Sequence, residues 1–477
     1  MTGRRGGGAR RRFLAPGEPA VAIVAAVVVS IAVWRGAGPE LFVAVGVAVA
    51  GVRRAAFAVV LVTCCAVGVV RADREDAGLQ PDRLGPFAGW ATVALDPAPA
   101  HGATRVVLQI EGERFEAWER GRAARLRVGE WNQGDVVWAV GERVPLDGDR
   151  AGRVAWQHVV GGFDREYYGD RVPGRPLAVA ANRVRRLVAD GTGVLPAPRA
   201  ALARGLIIGD DRDQPPDMVE RFRVSGLSHL TAVSGQNVAF VVAAAGPLLR
   251  RLRPGPRLFA TVALIGWFVV LTRAEPSILR AGTMAGVGAV AFATGREREP
   301  PRLLAISVIG LLLVDPLLVR SIGFWLSVGA TAGVTMLAPT LVRVLKPLGR
   351  LALPLGVTLG AQIGVAVPSL LVFGRLSAVG TVANLAAVPV AGAVMLYGLP
   401  ASLLAGAAGL TAPALMIPVD LGVRWVDGVA RVAARLDPPP TLNAAGWILV
   451  VGVVARCTRR TAERPGAGRE RDDPLSQ

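Results

Sequence analysis

The residues best suited to chemistry are gathered in Arg223-Val-Ser-Gly-Leu-Ser-His-Leu-Thr-Ala-Val-Ser-Gly-Gln-Asn-Val-Ala-Phe240, a polar, glycine-bearing run that leads into a membrane-length apolar segment. A helix that only anchors a chain has no use for His229, Ser234, Gln236 and Asn237 at its start. Each such group costs on the order of several kcal/mol against hydrocarbon without a partner, so the stretch should face protein or a water-filled path. Two chemistries are open to it. The hydroxyl and amide groups, with Gly235 as a flexible point, can line a path and hydrogen-bond a polar solute in transit. Alternatively, Ser234 and His229 form the nucleophile and base of an intramembrane serine hydrolase. A histidine five positions before a serine on one helix points elsewhere, and a nucleophile needs its base within hydrogen-bond reach. The path is therefore the expected reading, and no catalytic residue is assigned.

A second group lies at the start of a later apolar span, where Arg273, Glu275, Ser277 and Arg280 surround Pro276. Ionisable groups in such a place line a pathway, pair with one another, or snorkel to the interface. Asn384, in Asn384-Leu-Ala-Ala-Val-Pro389, adds an amide inside another span, and Gly364, Pro368, Gly374 and Gly380 supply the residues that broken or kinked helices use. Asp210, Asp211 and Asp213 invite a metal reading, but three carboxylates without a regular ligand frame are expected to be a turn and helix cap. Cys64, Cys65 and Cys457 lie in or beside apolar runs, and the only histidines are His101, His158 and His229. No disulfide framework, metal site or cofactor is expected.

The elements that must position these residues are mostly membrane helices. The chain has 477 residues, 52% of them hydrophobic and 19% charged, with a net charge of +18. Lys346 is the only lysine, so the cationic charge is nearly all arginine. The apolar residues are gathered into long blocks at about Pro19–Trp34, Leu41–Val52, Ala55–Val70, His229–Leu249, Arg257–Thr272, Pro276–Thr294, Leu303–Val319, Ile322–Val342, Leu353–Phe373, Ala378–Leu399, Ala401–Val419 and Ala444–Val454. Read as crossings, these make about twelve spans. Arg4 to Arg12, Arg53-Arg54, Arg250 to Arg257, Arg296 to Arg302, Arg343 to Arg350 and Arg456 to Arg460 then fall on one side, as the positive-inside rule asks of cytoplasmic loops. Both termini are expected inside. Arg424–Arg435, outside in this scheme, is amphipathic and suits an interfacial helix.

Between the third and fourth blocks the character changes. Apolar and polar residues alternate over short stretches, and Thr104–Ile110, Ala124–Val128, Asp135–Val140 and Val154–His158 read as strands separated by glycine-bearing turns. Four or five such strands suit a small OB-like barrel, a fold that binds single-stranded nucleic acid by aromatic stacking. Trp118, Trp131, Trp138 and Trp156 are available for stacking or for a buried core. Leu177–Leu195 and the segment from Pro215 to Phe222 read as amphipathic helices on the membrane face. The fold class is thus a polytopic α-helical membrane protein with a small extracytoplasmic β domain. Its expected divisions are N-terminal helices over 1–70, the β domain over 71–170, surface helices over 171–228, a transmembrane domain over 229–456 and a disordered tail over 457–477.

The order of landmarks resembles a known family. Gly205-Leu-Ile-Ile-Gly-Asp210, Gly226-Leu-Ser-His-Leu-Thr-Ala-Val-Ser-Gly235, Pro276-Ser-Ile-Leu-Arg-Ala281, Asp315-Pro316 with Gly323-Phe-Trp-Leu-Ser327, Pro368-Ser-Leu-Leu-Val-Phe-Gly374 and Val382-Ala-Asn-Leu-Ala-Ala-Val-Pro389 together look like the competence domain of ComEC-type DNA-uptake channels. The resemblance spans about Leu195 to Leu410, and the β domain resembles that family's OB-like domain. It implies a multi-pass channel in the cytoplasmic membrane, embedded in lipid, that passes one strand of incoming DNA during natural transformation. It also implies a DNA receptor outside and an energy-coupling motor inside. His229, Ser234, Gly235, Gln236, Asn237, Glu275, Ser277, Arg280 and Asn384 are the residues expected along the DNA path. This sequence departs from the family in carrying Asn237 where members often have histidine. It also has no His-x-His-x-Asp-His cluster of the metallo-β-lactamase-like domain that ends many members, so a separate nuclease is expected to degrade the second strand.

The arginine asymmetry makes the orientation testable. In a background with the native cysteines replaced by alanine, a cysteine at Gly148 should react with an impermeant maleimide in intact cells, and one at Gly255 should not. The reverse pattern would overturn the topology.

Overall fold

With no water in the bilayer to satisfy backbone groups, apolar blocks must close their hydrogen bonds internally, and they do so as helices. A computed structural model describes residues 19–35, 55–100, 102–231, 235–296, 299–374, 377–408, 412–439, 441–443, 445–448 and 452. Helix α1 (Pro19–Arg35) packs against α2 (Ala55–Ala77), and the β domain follows with β1 (Gly85–Ala100), β2 (Ala103–Ile110), β3 (Glu113–Glu119), α3 (Arg122–Gly129), β4 (Val136–Pro145), α4 (Gly148–Val154) and β5 (Val159–Val172). Three helices come next: α5 (Pro176–Thr192), α6 (Ala197–Ile208) and α7 (Pro216–Val224). The short α8 (Ser228–Thr231) precedes α9 (Gly235–Leu249), α10 (Pro254–Leu271), α11 (Pro276–Ala293) and α12 (Pro300–Val314). The chain continues through α13 (Ile322–Ala332), α14 (Ala338–Val344), α15 (Ala352–Phe373), α16 (Val379–Ala408) and α17 (Ala412–Arg435).

Among the described residues, five helical stretches are long and apolar enough to cross a membrane: Pro254–Leu271, Pro276–Ala293, Ile322–Val344, Lys346–Phe373 and Val379–Ala408. Val21–Trp34, Gly235–Leu249 and Pro300–Val314 are shorter apolar helices. The run predicted at Leu41–Val52 lies outside the described residues, as do most of Ala444–Val454 and the whole of 1–18 and 457–477. The break predicted at Pro400 is absent, because α16 runs through both Pro389 and Pro400. Its neighbours hold it in register: α5, α6 and α17 bury Ala387, Val394, Ala401 and Ala405 in one core with Leu202, Ile207, Met416, Val419 and Val426. Arg424–Arg435 is likewise no separate segment but the second half of α17.

The β domain is a closed barrel in the order β1-β2-β3-β5-β4, the five-stranded OB-like arrangement. All pairings are antiparallel except β3 with β5. Two predicted strands are helices. Ala124–Val128 belongs to α3, where Arg122-Ala-Ala and the following Arg and Leu are good helix formers and five alternating residues are too few to decide otherwise. Val154–His158 ends α4 and adds a 3-10 turn closed by His158 in the left-handed region (φ 57°). Conversely, Glu113-Arg-Phe-Glu-Ala-Trp-Glu119 looks too charged for a strand, yet it is β3. Its Glu116 is buried against Arg105 (2.7 Å) and Arg150 (2.7 Å), so a charged position behaves as a core position.

One seam sets the packing of the second half. Gly329 and Gly333 of the α13 segment face Gly360 and Gly364 of α15 so closely that a methyl group at Gly333 would overlap the Gly360 carbonyl oxygen, and one at Gly364 the Gly329 oxygen. Small residues at such a crossing let backbones touch. A π-helical turn at Gly333–Leu337 joins α13 to α14 beside this contact. Gly333→Val should therefore lower the amount of membrane-inserted protein several-fold, whereas Gly310→Ala on α12, where an added methyl meets nothing within 4 Å, should leave it unchanged. Quantitative immunoblotting of membrane fractions reads both.

Candidate functional site

The barrel is fastened to the helices by buried charge. Asp96 of β1 accepts from Arg273 Nε (2.8 Å), from Arg185 Nη2 of α5 (3.3 Å) and from the backbone N–H of Gln133 (2.7 Å). Arg185 also reaches Asp210 Oδ2 (2.9 Å) and donates to the Leu271 carbonyl at the end of α10 (3.2 Å). Asp210 is held bidentately by Arg212 (2.8 Å at each oxygen), which donates in turn to the Trp131 carbonyl of the barrel (3.2 Å). Burial alone would raise both carboxyl pKa values. The surrounding guanidinium groups outweigh it and hold Asp96 and Asp210 below the usual carboxylate range. Arg273 and Ala274, both non-glycine, take positive φ (65° and 54°) in the turn between α10 and α11. Such residues cost about 1–2 kcal/mol each and persist where surrounding contacts over-determine them, here the Arg273–Asp96 pair. A second attachment joins His158 to Asp315 (3.2 Å), with Glu75 of α2 3.7 Å from the other ring nitrogen.

Beside the first attachment, Asp211 and Glu275 face different conditions. Both keep accessible surface yet are crowded by protein. Burial, with the neighbouring carboxylates Asp211 and Asp96, pushes Glu275 up, and burial with Asp210 pushes Asp211 up. The run Asp210, Asp211 and Asp213, expected to be a turn and helix cap, is an ion-paired loop, with Arg204 on Asp213 (2.6 Å). Among the described residues no group of three or more ligating side chains could hold a metal.

Elsewhere in the helical domain, polar residues of separate motifs meet across helices. Gly226, in the left-handed region (φ 72°), lies against Gly380, where an added Cβ would come 3.3 Å from the Gly380 Cα. Gln362 Oε1 of α15 accepts from Thr381 of α16 (2.7 Å). Asn384, one turn further along α16, is buried with its Oδ1 unpaired among the described residues. Gly235 abuts Arg280 of α11, whose Nη2 lies 2.6 Å from the position of a Gly235 Cβ. Arg280 Nε donates to Ser327 Oγ of α13 (2.8 Å). His229 and Gln236 are exposed, Asn237 and Ser277 half-buried, and Ser234 lies outside the described residues. Of the expected path residues, Gly235 and Arg280 are brought into contact. Sequence reasoning missed Ser327, Gln362, Arg185 and Asp96, of which Ser327 at the end of Gly323-Phe-Trp-Leu-Ser carried a signal, being a hydroxyl on an apolar span.

The tryptophans divide. Trp131 is buried edge-on against Tyr168 (4.8 Å), and Trp118 lies beneath the Arg150 guanidinium (5.0 Å). Trp138 packs edge-to-face on Trp90 (5.4 Å), an outward residue absent from the predicted set. Thr92, Val136, Val140 and Glu142 share the outer face of those two strands, which among these residues offers apolar surface and one acid.

Five helical stretches of membrane-crossing length, joined to an OB-like barrel, define a multi-pass membrane protein. The chain belongs to the Competence protein family, whose profile matches residues 206–460. It is 26% identical over 258 residues to ComE operon protein 3 of Bacillus subtilis (strain 168), covering 53% of this chain and 33% of that one. It is also 26% identical over 259 residues to the uncharacterized protein YcaI of Escherichia coli (strain K12), covering 48% and 33%. The match thus spans about a third of the length of these curated relatives. No solved structure matches.

Removing one partner from a buried ion network leaves uncompensated charge at a cost of about 3–5 kcal/mol. Asp210→Ala should accordingly release the barrel, seen as protease cleavage between the barrel and α5 in membrane vesicles. Glu275→Gln should act oppositely. A carboxyl with a raised folded-state pKa opposes folding above that pKa, and the penalty vanishes below the unfolded value. The variant should therefore melt higher than the parent at pH 8 and no higher at pH 3.5, read by thermal unfolding in detergent.

Proposed function

We propose that the chain is a channel subunit in the cytoplasmic membrane that passes single-stranded DNA inward during natural transformation, with the barrel on the outer side. The observation that carries this reading is the Gly235–Arg280–Ser327 contact, where three separated motifs place a cation beside a hydroxyl inside apolar helices, with no carboxylate paired to it among the described residues. A conducting path for a polyanion needs charge that screens phosphates without gripping them, and a groove wet enough for the strand to keep its solvation. Family membership supports a role in competence. Under this reading His229, Gln236, Asn237, Glu275, Ser277 and Asn384 line the approach. A DNA receptor outside, a separate nuclease and a cytoplasmic motor complete the machinery.

Deleting the gene in a transformable host should abolish entry of labelled DNA into the cytoplasm while leaving surface binding intact, and unchanged transformation frequency would refute the proposal. Within the intact protein, Gln236→Leu places an apolar side chain where a lipid-facing helix would accept it. Transformation per unit of membrane-inserted protein should fall about tenfold if the exposed amide serves the path, a loss equivalent to one interaction of ~1.4 kcal/mol. An undiminished ratio assigns Gln236 to packing.

A further inference from the structure

We infer that Arg280 is a single-phosphate station, held in place by Gly235 and Ser327, that takes one phosphodiester group of the strand at a time; this rests on the proposed DNA-passing role. Arg280 is 5% exposed in the interior of the helical domain, and no carboxylate lies within ion-pairing distance among the described residues. Its three nitrogens are used unequally. Nε donates to the Ser327 hydroxyl (2.8 Å) and Nη1 points at Met284 Sδ (3.2 Å), both neutral and the second a weak acceptor. The hydrogen bonds that Arg280 makes to described residues leave from Nε and Nη1, while Nη2 lies where any side chain at position 235 would stand. Position 235 must therefore be glycine for the guanidinium to occupy this site.

A buried guanidinium without a counter-charge is costly, and the group that relieves it best is an anion. Phosphate is the anion whose geometry the guanidinium fork matches, usually through two parallel hydrogen bonds. Here Ser327 occupies Nε, so the fork is half closed and the phosphate is met chiefly through Nη2. A one-sided contact binds and releases more readily than a bidentate one. That suits a backbone that must move on by one nucleotide, and it makes Ser327 the residue that sets the grip. The nearest acid along the helix, Glu275, is five residues away, about 7.5 Å of helix rise toward the barrel junction. It repels phosphate on the junction side and leaves Arg280 as the favourable stop along this helix.

The same phosphodiester chemistry occurs in nucleic acid and in lipid headgroups, and the test separates them. Full-length protein in nanodiscs is titrated with fluorescent oligothymidylate, with a methylphosphonate oligomer of the same length, and with short-chain phosphatidylglycerol, across a range of salt. Arg280→Gln should weaken oligothymidylate binding about tenfold, as loss of one charged hydrogen bond does. It should also reduce the salt slope by about 0.7, the share of one phosphate contact on a single strand, and leave the methylphosphonate oligomer unaffected. Arg280→Lys should restore the slope but not the full affinity. Ser327→Ala, which frees Nε, should tighten binding while slowing transformation. An Arg280→Gln variant that binds oligothymidylate with the parental slope overturns the station and leaves the channel reading standing. Loss of phosphatidylglycerol binding with unchanged oligothymidylate binding overturns it in favour of a lipid site. A parent protein that binds no oligothymidylate overturns both the station and the reading it rests on.

Discussion

Much of this structure depends on a few arginine–carboxylate contacts buried between a soluble barrel and a set of membrane helices. Asp96 comes from a strand, Arg185 from α5, Asp210 and Arg212 from a loop, and Arg273 from the turn between two spans. Apolar contact also joins some of these elements, as Val184 of α5 packs against the cluster that holds Leu271 of α10, but the barrel residues meet the helices here through charge. Charge at such a junction is sensible physics. Hydrophobic contact is tolerant of sliding, whereas directional hydrogen bonds between charged groups accept fewer arrangements, so the contacts on Asp96 constrain where the barrel sits. The two left-handed residues at Arg273 and Ala274 show the cost accepted to present that guanidinium.

The membrane character, the barrel and the family motifs were legible in the sequence because each rests on a long-range regularity: block hydropathy, alternation, or ordered landmarks. What was illegible rests on pairings between distant residues. β3 was missed because Glu116 and Glu119 look like surface charges until Arg105, Arg150 and Arg165 are known to cover them. Ala124–Val128 was misread because five alternating residues carry too little information against helix-forming neighbours. The continuity of α16 through two prolines is decided by the helices packed around it. A local rule sees a missing N–H but not the neighbours that make it tolerable.

For the residues expected along a path the pattern is similar. Gly235 and Arg280 were singled out on separate grounds, as a flexible point and as a charge in an apolar span. Only the fold shows that the glycine exists to make room for the arginine. Ser327 and Gln362 lie on spans whose hydropathy marks them as ordinary, and each acquires meaning from a partner on another helix.

The glycine seam between α13 and α15 has a mechanical corollary. Two helices whose backbones touch without intervening side chains have no soft layer to shear, so they respond to load as one beam. Ser327 stands on that beam, two residues before Gly329, and through it Arg280 is tethered to this closely packed pair of helices. Gly235, by contrast, lies on the short helix α9 across from it. Any widening of the gap between them is therefore borne by α9, with the beam as its doorpost.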